Sequence, residues 1–195
     1  MGLIVISGYK GSGKDTAADY LIDSHGYTRL SFADTLKEMV SEQYEVPLNY
    51  FHDQKLKEVA LEQYPVVSTD GFTDNIHDML AAEFDSDCWT PRALCILEGS
   101  IKRSVKSSYW VQVVLNAIEA LGANANVVIP DLRYRSEIDQ ILEAFPEAKI
   151  TRVDRGLELD TNDPSERDLD DYPFSNVLDN TKDIKHLQEQ LKNLI

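Results

Sequence analysis

The run Leu3-Ile4-Val5-Ile6, followed by Gly8-Tyr9-Lys10-Gly11-Ser12-Gly13-Lys14-Asp15-Thr16, decides how this chain folds. Four apolar residues in a row predict a buried strand, and three glycines ahead of a lysine predict a turn whose backbone N–H groups face an anion. After the turn, Ala17, Ala18, Leu21 and Ile22 recur at helical spacing until His25-Gly26 closes the segment. Strand, glycine-rich turn and helix in this order read as a phosphate-binding P-loop. The helix presents its positive N-terminus, and Lys14 has the length to reach the β- and γ-phosphates of a bound nucleotide. Gly8, Lys10, Gly11, Ser12, Gly13, Lys14, Asp15 and Thr16 are the predicted cradle. The bland alternative is a strand-to-helix turn with a solvated lysine.

Asp15 stands where such loops usually carry a Ser or Thr for Mg²⁺, and the hydroxyl follows one residue later at Thr16. The order Gly-Lys-x-Thr resembles the loop of adenylate-kinase-like monophosphate kinases more than that of GTPases or motor ATPases. Asp15 either binds Mg²⁺ through water or caps the first helical turn, where negative charge is favoured.

The chain has 195 residues and a formal net charge of −15. That length fits one α/β domain with a small insert. The charge disfavours nonspecific binding to nucleic acid or to an anionic membrane, both of which depend on excess Lys and Arg. The first apolar run is too short for a signal sequence and no later stretch reaches membrane-spanning length, so a cytoplasmic protein is expected. Cys88 and Cys95 have neither metal-type nor redox spacing and are expected to remain packing thiols. Four scattered histidines, His25, His52, His77 and His186, do not form a zinc pattern.

Further along, alternating strands and helices are legible. Tyr27 to Phe32 predicts a second strand, and Leu36, Met39 and Val40 the helix after it. Between Pro47 and Cys88 the pattern breaks into an irregular insert with short helical patches such as Asp53 to Gln63. Thr90-Pro91 starts a helix expected to run to about Ser107. It would put Leu94, Leu97, Ile101 and Val105 on one face and Arg92, Gly99, Arg103 and Lys106 on the other. That second face is either solvated or anion-binding. Trp110, Val114, Ile118 and Leu121 predict a buried stripe on the next helix, Asn126 to Ile129 a strand ending near Asp131, and Lys149 to Val153 another. Asp131, followed by Arg133 and Arg135, is placed to hold a Mg²⁺–water shell beside phosphate-binding guanidiniums. The charged segment Asp154 to Tyr172 reads either as a lid carrying Arg155 and Arg167 or as a polar surface loop, and Ile184, Leu187, Leu191 and Leu194 as a closing amphipathic helix.

Taken in order, GYKGSGKDT, SFADTLKEMV, TPRALCILEG with the later YWV, IPDLR, PSERD and SNVLDN resemble the bacteriophage-type deoxynucleoside monophosphate kinases, a branch of the P-loop nucleoside monophosphate kinases. The resemblance covers most of the chain. It implies a three-layer α/β/α P-loop kinase fold around a central parallel sheet, with a helical substrate-side insert around 47–125 and a short lid around 154–172. It also implies a cytoplasmic enzyme of nucleotide biosynthesis, in the host cytoplasm if phage-encoded, acting as a monomer or homodimer. The substrate would be a (deoxy)nucleoside monophosphate held by Phe32, Lys37, Arg92, Gly99, Arg103, Trp110 and Arg135. ATP would lie on the cradle with Arg152, Mg²⁺ near Asp15, Thr16 and Asp131, and Lys14, Arg133 and Arg155 would act on the transferred phosphate. Two departures from the family pattern stand out. Arg135 and Ser136 replace its Pro-Asn, and Asp163-Pro164-Ser165-Glu166 lacks the His that tends to precede its Ser-Glu pair. That last segment is given no catalytic role.

The implied reaction moves the γ-phosphoryl group of ATP to the monophosphate, giving a diphosphate and ADP. A P-loop kinase for another small acceptor, such as dephospho-coenzyme A, is the nearest alternative, because fold does not fix the acceptor. A nucleotide-dependent switch is the alternative of another class, disfavoured by the lack of an Asn-Lys-x-Asp base-recognition motif.

Overall fold

Strand β1 (Gly2–Ser7) is buried from Leu3 to Ser7 because it has a neighbour on each side. It pairs in parallel with β3 (Asn126–Ile129), Gly2 opposite Asn126, and with β4 (Lys149–Asp154), Ile4 opposite Lys149. A strand covered on both edges and both faces needs apolar residues at successive positions, which is why the opening run carries no polar alternation. β2 (Thr28–Arg29) joins β3 and β5 (Asn176–Asp179) joins β4, so the sheet order is β2-β3-β1-β4-β5, all parallel. The computed structural model describes residues 2–63, 88–157 and 164–195.

The chain forms two compact units, one made of the chain up to Phe32 together with Val111–Ile195, the other of Ala33–Trp110. In the first, α1 (Lys14–His25) and the closing helix, here α8 (Ile184–Leu194), cover one face of the sheet. Ala17, Ala18, Leu21, Leu187 and Leu191 pack there on Ile4, Ile6, Val128 and Val153, a single buried cluster. The connection from β3 to β4 crosses β1 in the opposite direction, and right-handed crossover puts its helix α6 (Arg135–Ala144) on the other face, with Ile138 and Ile141 fully buried. The result is the expected three-layer α/β/α arrangement. Every strand ends at the same edge of the sheet, where open parallel sheets bind ligands.

In the second unit, α2 (Phe32–Gln43, entering at Ala33), α3 (Asn49–His52), a single 3₁₀ turn (Leu56–Glu58) and α4 (Pro91–Val105) surround Val40, Val46, Phe51, Leu61 and Leu94. Thr90 Oγ1 caps α4 by accepting from the N–H of Ala93 at 3.1 Å, with Pro91 at the first helical position, as its sequence predicts. α5 (Tyr109–Leu121) runs from the end of this unit into the first.

Some expectations require correction. α4 ends at Val105, which is 82% exposed and not on the apolar face, because the backbone turns extended at Lys106. Leu121, at the last turn of α5, is likewise exposed. β2 is two residues long, since Phe32 already begins a helix. β5 was not expected at all. The helical patch expected over Asp53 to Gln63 forms as the short 3₁₀ turn Leu56–Glu58, with α3 just before it, and residues 64–87 of the insert, including His77, lie outside the described residues, as do 158–163 of the charged loop.

Candidate functional site

Gly8 opens the loop with φ +145, and a Cβ there would lie 2.5 Å from the Val153 carbonyl and 2.6 Å from Ser12 Oγ. Gly13 sits at φ +103 and a Cβ would meet the Asn180 amide nitrogen at 2.3 Å. Both positions therefore exclude any side chain, by conformation and by space. The chain closes a turn with Ser12 N–H donating to the Tyr9 carbonyl at 3.0 Å and enters α1 at Lys14.

Lys14 Nζ donates to the carbonyls of Gly8 at 2.6 Å and Tyr9 at 2.9 Å, spanning the loop it closes. The residue is buried. Burial lowers its pKa, the charge of Arg133 lowers it further, and Glu166, Asp15 and Asp131 oppose the fall. The loop also holds a buried hydroxyl, Ser12 Oγ, with no hydrogen-bond partner among the described residues. Such a group costs free energy unless something satisfies it. Together, the glycine cradle, the orphaned hydroxyl and the buried ammonium fit an anionic ligand.

Around the loop stand the groups from the other strand ends. After β3, Asp131 accepts from Ser31 Oγ at 2.9 Å and from the Phe32 N–H at 3.2 Å. This is the bond pair that cuts β2 short and turns the chain into α2. Arg133 follows, its guanidinium paired with Glu166. Its backbone N–H and that of Tyr134 both donate to Glu137 Oε2, at 2.8 and 3.0 Å. Glu137 is itself buried and so fixes where Arg133 starts. After β4, Arg155 donates to the Gly11 carbonyl at 3.3 Å. After β5, Asn180 Nδ2 donates to the Ser12 carbonyl at 2.7 Å.

Asp15 does not cap the helix. The N-cap is Gly13 without a side-chain bond, and Asp15 lies in the first turn, ion-paired with Arg29 at 2.9 Å. Asp15 and Thr16 are exposed beside the loop, and with Asp131 they supply hard oxygen donors of the kind Mg²⁺ takes directly or through water. Arg152 is engaged by Leu169 O at 3.1 Å, by Asp170 at 3.3 Å, and by the rings of Tyr9 and Phe174. Arg135 binds Asp168 and Asp171, and Arg167 lies 3.8 Å from Asp170. Those contacts belong to the stretch after α7 (Pro164–Arg167). Lys10 is exposed, and its N–H donates to Glu166 at 3.1 Å.

In the second unit Trp110 is buried and its indole N–H donates to the Gly99 carbonyl at 3.3 Å. A Cβ on Gly99 would press on Leu36 at 3.3 Å and on the Arg103 guanidinium at 3.4 Å, so Gly99 makes room for Arg103. Arg92 pairs with Glu58 at 3.2 Å and Lys37 with Asp34 at 3.0 Å. Glu98, buried beside Gly99, accepts from Gln43 at 2.8 Å and Tyr44 at 2.7 Å.

Three groups escaped the sequence reading: Glu137, Asn180 and Glu166. Asn180 and Glu166 do lie within recognisable stretches, SNVLDN and PSERD, but spacing alone gives neither side chain a direction.

Residues 2–70 match the family model for deoxynucleotide monophosphate kinase. A putative deoxynucleotide monophosphate kinase from Acanthamoeba polyphaga mimivirus is 29% identical, over 98% of this chain and 94% of the relative. Among solved structures, a gluconokinase from Sinorhizobium meliloti aligns with TM-score 0.44 at 15% identity, covering 99% of this chain and 93% of that one. A sugar kinase from Janibacter aligns with TM-score 0.48 at 16% identity, with the same coverage.

Proposed function

We propose that this protein transfers the γ-phosphoryl group of ATP to a (deoxy)nucleoside 5′-monophosphate, giving the diphosphate and ADP. The observation that carries the reading is Lys14, a buried ammonium closing a glycine loop at the end of the central strand of a parallel sheet. The match to deoxynucleotide monophosphate kinases over residues 2–70 and the similarity of nearly the whole chain to the viral relative support the acceptor class.

The work of such an enzyme is alignment and charge neutralisation, since an oxygen of the acceptor phosphate attacks the γ-phosphorus as the bond to the β-phosphate oxygen breaks. The loop amides and Lys14 hold the donor, and Arg152 supports the loop by stacking on Tyr9. Arg133 and Arg155 neutralise the charge on the transferred group. Mg²⁺, held through Asp15, Thr16 and Asp131, would neutralise phosphate oxygens and orient them. Phe32, Lys37, Arg92, Gly99, Arg103, Trp110 and Arg135 serve the acceptor. Arg135 is the least free of these, being bound to Asp168 and Asp171.

The test is ADP release from Mg-ATP with each ribo- and deoxyribonucleoside monophosphate in turn. Release that depends on the acceptor supports the reading, and the preferred acceptor ranks base and sugar. Slow release indifferent to every monophosphate overturns it.

A further inference from the structure

Glu166 has no part in the scheme above, yet its carboxylate lies on the groups that would hold a phosphate. Oε2 accepts from the backbone N–H of Lys10 in the glycine loop at 3.1 Å, and Oε1 accepts from the guanidinium of Arg133. Only 11% of the side chain is exposed. A loop amide and a guanidinium converging on one anion are donors of the kind a phosphate site uses.

The residue is presented from a fixed base. Within the next four residues, Asp170 accepts from Tyr9 Oη at 2.6 Å and from Arg152 at 3.3 Å, and Asp168 accepts from the Arg135 N–H at 2.8 Å. The stretch is thus pinned to the loop, to β4 and to the start of α6. A carboxylate tethered so closely competes at high effective concentration with any ligand for the same donors.

We infer that Glu166 is an intramolecular stand-in for a phosphate, its carboxylate lying against the glycine loop and displaced when a triphosphate enters. The inference rests on the reading of Gly8 to Thr16 as a triphosphate site. It places a negative charge where a bound phosphate would meet the Lys10 N–H and the Arg133 guanidinium. It also makes the apparent affinity for a nucleotide lower than the loop's intrinsic affinity, by the fraction of molecules in which Glu166 has swung clear.

The experiment is calorimetric titration of wild type, E166Q and E166A, without acceptor, using two probes: Mg-ATP and inorganic tripolyphosphate, which has no base or sugar. E166Q keeps the shape and an acceptor oxygen while losing the charge, and its melting curve establishes that it is folded even if E166A is not. Both probes are expected to bind E166Q about tenfold more tightly than wild type. Wild type that binds both probes, with E166Q no tighter or weaker, overturns the inference and leaves Glu166 a structural partner of Arg133. Tightening for ATP alone also overturns it, because the effect then lies at the base or sugar. Wild type that binds neither probe removes the loop reading itself, and the inference with it.

Discussion

The side-chain amide of Asn180, one residue past β5, donates to the carbonyl of Ser12 at 2.7 Å and so ties the sheet's last strand to its first loop. A peptide unit is planar and trans, so a Ser12 carbonyl held toward Asn180 leaves the Gly13 N–H pointing the opposite way. Orientation of such N–H groups is what makes a glycine loop bind anions. Asn180→Ala is expected to weaken ATP binding by roughly 1 kcal/mol, a several-fold rise in dissociation constant, with the acceptor's KM unchanged. Equal weakening of donor and acceptor in steady-state titrations would show that Asn180 acts on the whole fold instead.

Gly13→Ala strikes the same contact from the other side. The new Cβ would sit 2.3 Å from the Asn180 amide at a φ of +103, so either the bond or the backbone must give. Loss of ATP binding beyond that of Asn180→Ala is expected, and the double variant should recover none of it, because the backbone strain persists. Recovery in the double variant would assign the whole effect to the clash.

Lys14→Ala tests the chemistry. Among the described residues the ammonium bonds to the Gly8 and Tyr9 carbonyls, and it lies outside the apolar cluster that includes Ala17, Ala18 and Leu21. Turnover should fall by about 10³-fold or more while the circular dichroism spectrum is unchanged. A folded Lys14→Ala protein with near wild-type turnover removes Lys14 from the mechanism.

How far the sequence carries the structure depends on whether a residue's role is local. Leu3 to Ile6, Gly8 to Lys14, Thr90-Pro91 and the leucines of α8 announce themselves because strand burial, turn conformation, capping and helical period are short-range properties. β5 is not legible in this way. It holds only Val177 and Leu178 between polar residues, and it becomes a strand through pairing with β4, a long-range event. Likewise, Tyr27 to Phe32 alternates well enough for a longer strand, but Asp131, a hundred residues away, takes the Ser31 hydroxyl and Phe32 N–H and ends it. Within the site, the loop was legible residue by residue, whereas the directions of Glu137, Asn180 and Glu166 come from tertiary packing.

Cys95 lies half-buried in the second unit among the side chains around Leu94. Burial pushes its thiol up to about 12, with Lys37 pulling weakly the other way. The thiolate is the reactive form, so alkylation of Cys95 at pH 8 should be roughly a thousandfold slower than that of a free thiol. Mass spectrometry after timed iodoacetamide exposure reads this directly. Labelling at the rate of free cysteine would mean that the second unit opens readily around α4.

Tyr9 gives the fold a dependence on alkaline pH. Its hydroxyl donates to Asp170 at 2.6 Å, and this bond, then burial, then the charge of Asp170 raise its pKa above 10.0, with Arg152 acting in the opposite sense. A raised phenol pKa means the folded protein keeps a proton that the unfolded chain has already lost, so stability falls as pH rises through that interval. Below pH 10 the bond contributes about 1 kcal/mol, the usual worth of such a hydrogen bond. Tyr9→Phe should therefore cost this amount at neutral pH. The gap between wild type and Tyr9→Phe in urea unfolding should be flat up to the ordinary phenol pKa and close above it. A gap that does not narrow at high pH would mean that the ring's packing against Arg152, and not the hydroxyl, carries the contribution.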